Sequence, residues 1–243
     1  MLVAGIWAGT INTVVGSGTL VSFPVLLGVG LSPVTANVSN SIGLFPGSFV
    51  GAYGYRRELA GQRTRILGLG AAVVVGAATG AVLLLVLPSG AFDAVVPVLV
   101  GLSLVLVVFG KRINAAMASR GRGTSEAVGV GLWLSMLFCG VYGGYFGAAQ
   151  GVLQMGFLGV FLKDSIQRHN ALKNVLAGLA NLVAAIVFVI VGKHTDWAAV
   201  GLIAAGSILG GLLGARIGRR LPPTALRAVI VVVGVAALVK LLV

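Results

Sequence analysis

Three uninterrupted apolar runs, at residues 66–87, 94–110 and 197–215, constrain this chain most strongly. Each is close to the roughly 20 residues that an α-helix needs to cross the hydrocarbon core of a bilayer. Only 9% of the 243 residues are charged, whereas soluble domains carry about 25%. Because a backbone inside lipid must satisfy its own hydrogen bonds, the runs predict an all-α integral membrane protein that crosses the bilayer several times.

The net charge of +12 comes from basic residues in the segments between apolar runs. Loops 55–65, 111–122 and 216–227 each carry four Lys or Arg residues, and the turns at 28–33 and 88–93 carry none. By the positive-inside rule the basic loops lie in the cytoplasm. This distribution indicates a multi-pass protein of the plasma or inner membrane, and we predict no nucleic-acid partner.

The two halves of the chain share one pattern, with Gly16 matching Gly147 and Asn40 matching Asn174. Each half begins with a short apolar helix pair, broken at a glycine-rich segment, and continues with three transmembrane helices, the first of which has a polar beginning. We predict a division into three parts: a first transmembrane repeat at residues 1–113, a cytoplasmic linker at 114–125 and a second repeat at 126–243.

The charge pattern gives equivalent spans of the two halves opposite directions, as in the inverted-topology repeats of secondary transporters. The broken pair at residues 2–31 then begins and ends outside, and the pair at 127–162 begins and ends in the cytoplasm. Each pair is predicted to be V-shaped or re-entrant. The alternative is that each pair makes one full crossing of the membrane.

A helix that begins inside the membrane directs unpaired N–H groups and the positive end of its dipole at whatever precedes it, which favours an anion. Both glycine-rich segments precede such a short helix, and glycine permits close approach of a ligand to the backbone. The alternative is tight packing of helices through small residues. The predicted anion-binding residues at these segments are Gly16, Ser17, Gly18, Thr19, Gly147, Gln150 and Gly151.

Polar residues in the first span of each half are the other candidates, because polar groups inside a membrane are costly and often mark a binding site. Lys173 is predicted to supply positive charge, although its ammonium could instead extend to the headgroups. Asn170 and Asn174 share its helix face, and Asn37 and Asn40 form the matching group of the first half. For each asparagine, amide pairing between helices is the alternative.

The chain lacks the residues that other functions require. All five acidic residues fall at loops or span ends, so no buried carboxylate is predicted to hold sodium or relay protons. One cysteine and two histidines are too few for a metal motif, and no cofactor is predicted. Because no nucleophile–base pair or phosphate-binding loop is present, we predict that the protein is not an enzyme.

The motifs of both halves resemble those of the TauE/SafE sulfite and sulfonate exporter family. In the first half the similarity rests on GSGTLVSFPVLLGVGLSPVTANVSNSIGLFPGS at residues 16–48. In the second half it rests, in order, on YGGYFGAAQGVLQM, RHNALKN, NLVAA and GSILGGLLGARIGRRLP. The resemblance covers nearly the whole chain and implies a small membrane protein that moves sulfur-containing anions such as sulfite or organosulfonates.

We therefore predict an exporter or permease that works by alternating access around an anion site at the membrane midplane. Its expected partners are a small anion and the lipid bilayer. Assembly into a homo-oligomer is compatible with the sequence. Two alternatives belong to other classes. An anion channel would use the same glycine-rich segments as a selectivity filter, and a non-transporting accessory protein of the membrane would need no substrate site.

Overall fold

The computed structural model describes residues 1–120, 128–191 and 194–217, together with scattered helical positions between 228 and 239. Within these ranges every regular element is a helix, which confirms the all-α prediction. The helices are α1 Leu2–Val14, α2 Thr19–Gly28, α3 Pro33–Gly54, α4 Arg63–Val86, α5 Ser89–Arg120, α6 Val130–Tyr145, α7 Gln150–Phe161, α8 Ile166–Val191 and α9 Trp197–Ile217.

Four segments of the described chain are long and apolar enough to cross a membrane: Arg63–Val86, Gly90–Phe109, Ile166–Val191 and Trp197–Ile217. Helix α3 has 22 residues, which is enough length, but its first half is too polar for it to qualify by composition. Helices α1, α2, α6 and α7 have only 10 to 16 residues. The broken pairs predicted from the sequence are therefore pairs of short helices.

The predicted linker at 114–125 and the segments after α9 are described only in part. Residues 114–120 of the predicted linker continue α5 as helix, as expected of a segment rich in alanine and other helix-forming residues. Three segments lie outside the described residues: the rest of the linker, most of the basic loop at 216–227, and most of residues 228–243, where the last helix of the second repeat is expected.

The first break, residues 15–18, and the second break, residues 146–149, share a left-handed glycine at their second position, and they differ at the fourth, where Gly18 is right-handed and Ala149 is left-handed. Gly16 has φ of +87° and Gly147 has φ of +74°, a left-handed conformation that glycine adopts without a steric penalty. The N–H of Gly16 donates to the carbonyl of Ile11 at 3.0 Å, and that of Gly147 donates to the carbonyl of Tyr142 at 3.0 Å. Each short first helix therefore ends in the same glycine-terminated turn.

The first helix of each half packs parallel to the fourth helix of the other half. Gly5 of α1 lies against Gly206 of α9, and Thr13 lies against Gly214. Val73 of α4 lies in the same way against Gly140 of α6, and Ala77 lies against Gly144. Small residues let these backbones approach closely, which is how helices commonly pack in membranes.

Two glycines of α9, one closely packed and one open, allow a matched pair of substitutions to test this packing. A Cβ at Gly210 would overlap the backbone of Ile6 in α1, whereas a Cβ at Gly201 of the same helix would meet nothing within 4 Å. We expect Gly210→Ala to destabilise the protein by about 1–3 kcal/mol, since overpacking forces backbones apart. Thermal unfolding in detergent measures the effect. Gly201→Ala should leave the midpoint unchanged or raise it, and equal midpoints for the two variants would contradict this packing.

Candidate functional site

The two breaks meet inside the protein. The N–H of Gly151, in the first turn of α7, donates to the carbonyl of Gly16 in the first break at 3.0 Å. A Cβ at Gly16 would lie 2.5 Å from the Cα of Gly151, so neither position has room for a side chain. We call this contact, together with Lys173 beside it, the junction.

Lys173 of α8 passes through the junction and is fully buried. Its Cδ lies against both glycines, 3.2 Å from a Cβ built on Gly16. Its ammonium donates to the carbonyls of Asn12 at 2.8 Å and Thr13 at 3.2 Å, in the last turn of α1. The ammonium therefore lies where the negative end of the α1 dipole and its unpaired carbonyls need a cation.

Three donors converge on the carbonyl of Thr13. Besides Lys173, the side-chain amides of Asn170 and Asn174 donate to it, at 3.2 and 3.3 Å. A carbonyl oxygen has only two lone pairs. One donor can therefore leave for another acceptor while the Thr13 carbonyl stays satisfied.

Side chains of the first half contact the second break. Asn37 of α3 donates its side-chain N–H to the carbonyl of Tyr145, the last residue of α6, at 2.9 Å. Phe23 of α2 packs edge-on against Phe146 with 5.3 Å between ring centroids. Each polar span therefore supplies hydrogen bonds to the end of the other half's first helix.

The remaining predicted residues lie around this centre in different ways. Asn40 bonds within the first half, donating to the hydroxyl of Thr19 at 3.2 Å and accepting from the hydroxyl of Ser22. Gly18 lies against α1, where a Cβ would overlap the backbone of Ala8. Of the predicted set, Gly16, Gly151 and Lys173 are in direct contact, and Asn170 and Asn174 join them through Thr13.

Several predicted backbone donors are already used. The N–H groups of Gly16 and Gly147 close the turns of their own breaks, and that of Gly151 bonds to Gly16. In this conformation these three groups donate to protein carbonyls. These three groups could donate to a ligand only if the turns or the junction opened.

Six buried polar atoms near the breaks have no hydrogen-bond partner among the described residues. Leaving such groups unpaired costs about 1–3 kcal/mol each, and unsatisfied clusters are rare in native structures. All five side chains that carry them are at most 3% exposed. The atoms are Thr13 Oγ1, Ser17 Oγ, Asn37 Oδ1, Gln150 Nε2 and the two amide atoms of Gln154.

Gln154 was not predicted from the sequence. It follows Gln150 by four residues in α7, so the two amides share a helix face, and Gly151 lies beside them on that face. Gln150 packs its amide over Gly143, where a Cβ would lie 2.5 Å from Oε1. The signal in the sequence was a second glutamine, one turn on, in an otherwise apolar segment.

A cluster of charged residues joins the beginning of α4 to the beginning of α8. Arg65 lies 2.7 Å from the carboxylate of Asp164, and Arg168 lies 2.8 Å from it. Arg168 also donates to the carbonyl of Ala60 at 3.0 Å. Burial raises the pKa of Asp164, but the hydrogen bonds from the two arginines outweigh it and lower that pKa from 3.8 to about 2.

Across the described ranges, no three His, Cys, Asp or Glu side chains come together in a way that would hold a metal ion.

Comparison with known proteins identifies relatives along almost the entire chain. Residues 1–241 match the family described as "Sulfite exporter TauE/SafE". The chain is 26% identical over 237 residues to the "Probable membrane transporter protein YfcA" of Escherichia coli K12, covering 97% of this chain and 86% of that protein. The proteins of the same name from Escherichia coli O6:H1 and O157:H7 show the same identity and coverage. No protein of solved structure matches significantly.

The low pKa of Asp164 predicts a pH-dependent contribution to stability. Because the folded pKa lies below the usual 3.8, this stabilisation is fully present above that value and is lost as the pH falls through about 2. We expect Asp164→Asn to lower the thermal midpoint at pH 7 and to remove this acid-dependent component. Asp196→Asn is the control, since Asp196 caps α9 through an oxygen that accepts from Ala199 and asparagine also caps helices. Equal losses from both variants would contradict the prediction.

Proposed function

Because the chain belongs to the TauE/SafE sulfite exporter family, we propose that this membrane transporter carries small sulfur-containing anions, such as sulfite or an organosulfonate, across the plasma or inner membrane. The observation that carries the proposal is the set of buried, unpaired polar atoms around the breaks. The hydroxyls of Thr13 and Ser17 and the amide N–H groups of Gln150 and Gln154 are donors, and an oxyanion is the ligand that accepts from several donors at once.

Lys173 supplies the positive charge in this proposal. Its ammonium is shared between two carbonyls, one of which has two further donors. When an anion enters beside the junction, the ammonium can turn from Thr13 toward it while Asn170 and Asn174 keep that carbonyl satisfied. The anion then gains a charge-assisted hydrogen bond without leaving a bare carbonyl inside the membrane.

We propose that the two halves are inverted repeats that open alternately on the two sides of the junction. The matching turns at Gly16 and Gly147 support this arrangement. So does the exchange of partners, in which α1 packs along α9 as α6 packs along α4. The basic loops 55–65, 111–122 and 216–227, which the positive-inside rule places in the cytoplasm, give equivalent spans of the two halves opposite directions. Inverted repeats with broken helices at a central site are common in secondary transporters.

A non-transporting accessory protein remains the second candidate, on one observation. Asn40, Thr19 and Ser22 satisfy one another within the first half, which is what purely structural pairing of polar residues requires. In the second half, Gln150 in the first turn of α7 and Gln154 one turn later keep unpaired atoms instead of forming such a closed set. Together with the unpaired hydroxyls of Thr13 and Ser17, these atoms are left unexplained by structural pairing and favour a ligand site between the two breaks.

Uptake by the wild type distinguishes a transporter from an accessory protein, and replacement of Gln154 by leucine tests the proposed site. Neither of its amide atoms has a partner among the described residues, so the change should leave the thermal midpoint equal or higher. If the amide donates to the anion, uptake of radiolabelled sulfite or methanesulfonate into proteoliposomes should fall about tenfold or more, since a hydrogen bond to a charged group contributes about 1.5–3 kcal/mol.

The control is Thr79→Val, at an exposed hydroxyl that bonds only to its own helix through the Val75 carbonyl. Its uptake should match that of the wild type. Wild-type uptake by a stabilised Gln154→Leu protein would remove Gln154 from the site, whereas no uptake by the wild type itself would favour the accessory role.

A further inference from the structure

A second site lies away from the junction, among the charged residues at the beginning of α4 and α8. A cavity of about 920 Å³ opens there, lined by Thr64, Arg65, Lys163, Asp164 and Arg168 together with the apolar Gly68 and Val128. Nothing in the proposed transport mechanism uses it. We call it the basic cavity.

The basic cavity carries an excess of positive charge. Among the described lining residues, three cationic side chains and one carboxylate carry a net charge of +2. Asp164 holds Arg65 and Arg168 through ion pairs of 2.7 and 2.8 Å, so the two guanidinium groups are fixed in position. Helices α4 and α8 also begin here, and the positive ends of their dipoles add to the attraction for an anion.

Three exposed aliphatic side chains lie close in the chain to residues that line the cavity. Leu67 is 64% exposed, Val130 is 76% exposed and Ile166 is 66% exposed. Each lies within two residues of a lining residue of the basic cavity. In a membrane helix, exposed aliphatic side chains face lipid chains. The site therefore combines an anion-binding cavity with an adjoining apolar surface.

We propose that the basic cavity binds the phosphate of an anionic phospholipid, with the acyl chains against Leu67, Val130 and Ile166. Basic cavities between membrane helices, near the cytoplasmic ends of those helices, are suited to anionic headgroups. A lipid with net negative charge, such as phosphatidylglycerol, fits the net charge of +2, whereas the cationic group of phosphatidylcholine would be repelled. Thr64 offers a hydroxyl donor to the phosphate oxygens, and Lys163 offers an ammonium.

Bound lipid would strengthen the connection between the two halves. The lining joins α4 of the first half to α8 of the second through Asp164. The segment before α4 is fixed to α8 as well, since the buried Gln62 donates to the carbonyl of Arg168 at 3.2 Å. A phosphate that bridges Arg65, Lys163 and Arg168 therefore stabilises the packing of α4 against α8.

The test measures thermal stabilisation of the delipidated protein in detergent by phosphatidylglycerol, phosphatidylcholine or inorganic phosphate. We expect phosphatidylglycerol alone to raise the midpoint. Lys163 is exposed and no described ion pair includes it, so Lys163→Gln should keep the fold. It should increase the phosphatidylglycerol concentration needed for half the effect about fivefold, as expected for one basic residue near a membrane surface.

Arg57→Gln is the control, because it removes the same charge from an exposed residue that does not line the basic cavity. It should leave the phosphatidylglycerol response unchanged. Equal weakening by the two variants would overturn the site in favour of general surface electrostatics. Equal stabilisation by the two lipids would overturn the anionic preference, and stabilisation by inorganic phosphate as strong as that by phosphatidylglycerol would assign the cavity to a free anion.

Discussion

The hydrogen bond between Gly151 and Gly16, with the Lys173 ammonium beside it, is the contact on which the centre of this protein depends. A helix that stops inside the membrane leaves its last carbonyls without partners, and lipid cannot supply them. Helix α1 ends in the buried interior of the protein, and donors from α8 reach its last carbonyls. The polar beginning of α8, which is unfavourable in lipid, is thus explained by the break in a helix about 160 residues earlier.

This arrangement also distinguishes structural polar groups from those available to a ligand. The amides of Asn40 and Asn174 bond to groups of the protein. The amide of Gln154, equally buried, has no partner in the described part of the chain. A buried polar group without a partner lowers stability and is retained where function requires it. On the proposed function, the anion supplies the missing acceptors.

Much of this architecture could be predicted from the sequence, because it follows from hydrophobicity and from glycine. The apolar runs, the two breaks and the polar character of α3 and α8 are local properties of the chain. The partners of the polar atoms are not local. No pattern reveals that Lys173 binds Asn12 and Thr13, since that contact depends on how α1 and α8 are placed in three dimensions. Gln154 was missed for a related reason: a glutamine in an apolar segment can be told from a packing residue only once its surroundings are known.

The most direct test of the central claim, that the polar atoms at the breaks line the anion path, is the reactivity of a cysteine placed there. Ser17 is 1% exposed and its hydroxyl lacks a described partner, and the natural Cys139 is fully buried, so the wild type serves as background. The account predicts that Ser17→Cys in proteoliposomes reacts with the anionic reagent 2-sulfonatoethyl methanethiosulfonate, and that methanesulfonate slows the reaction. No reaction, or a rate that saturating methanesulfonate leaves unchanged, would contradict it.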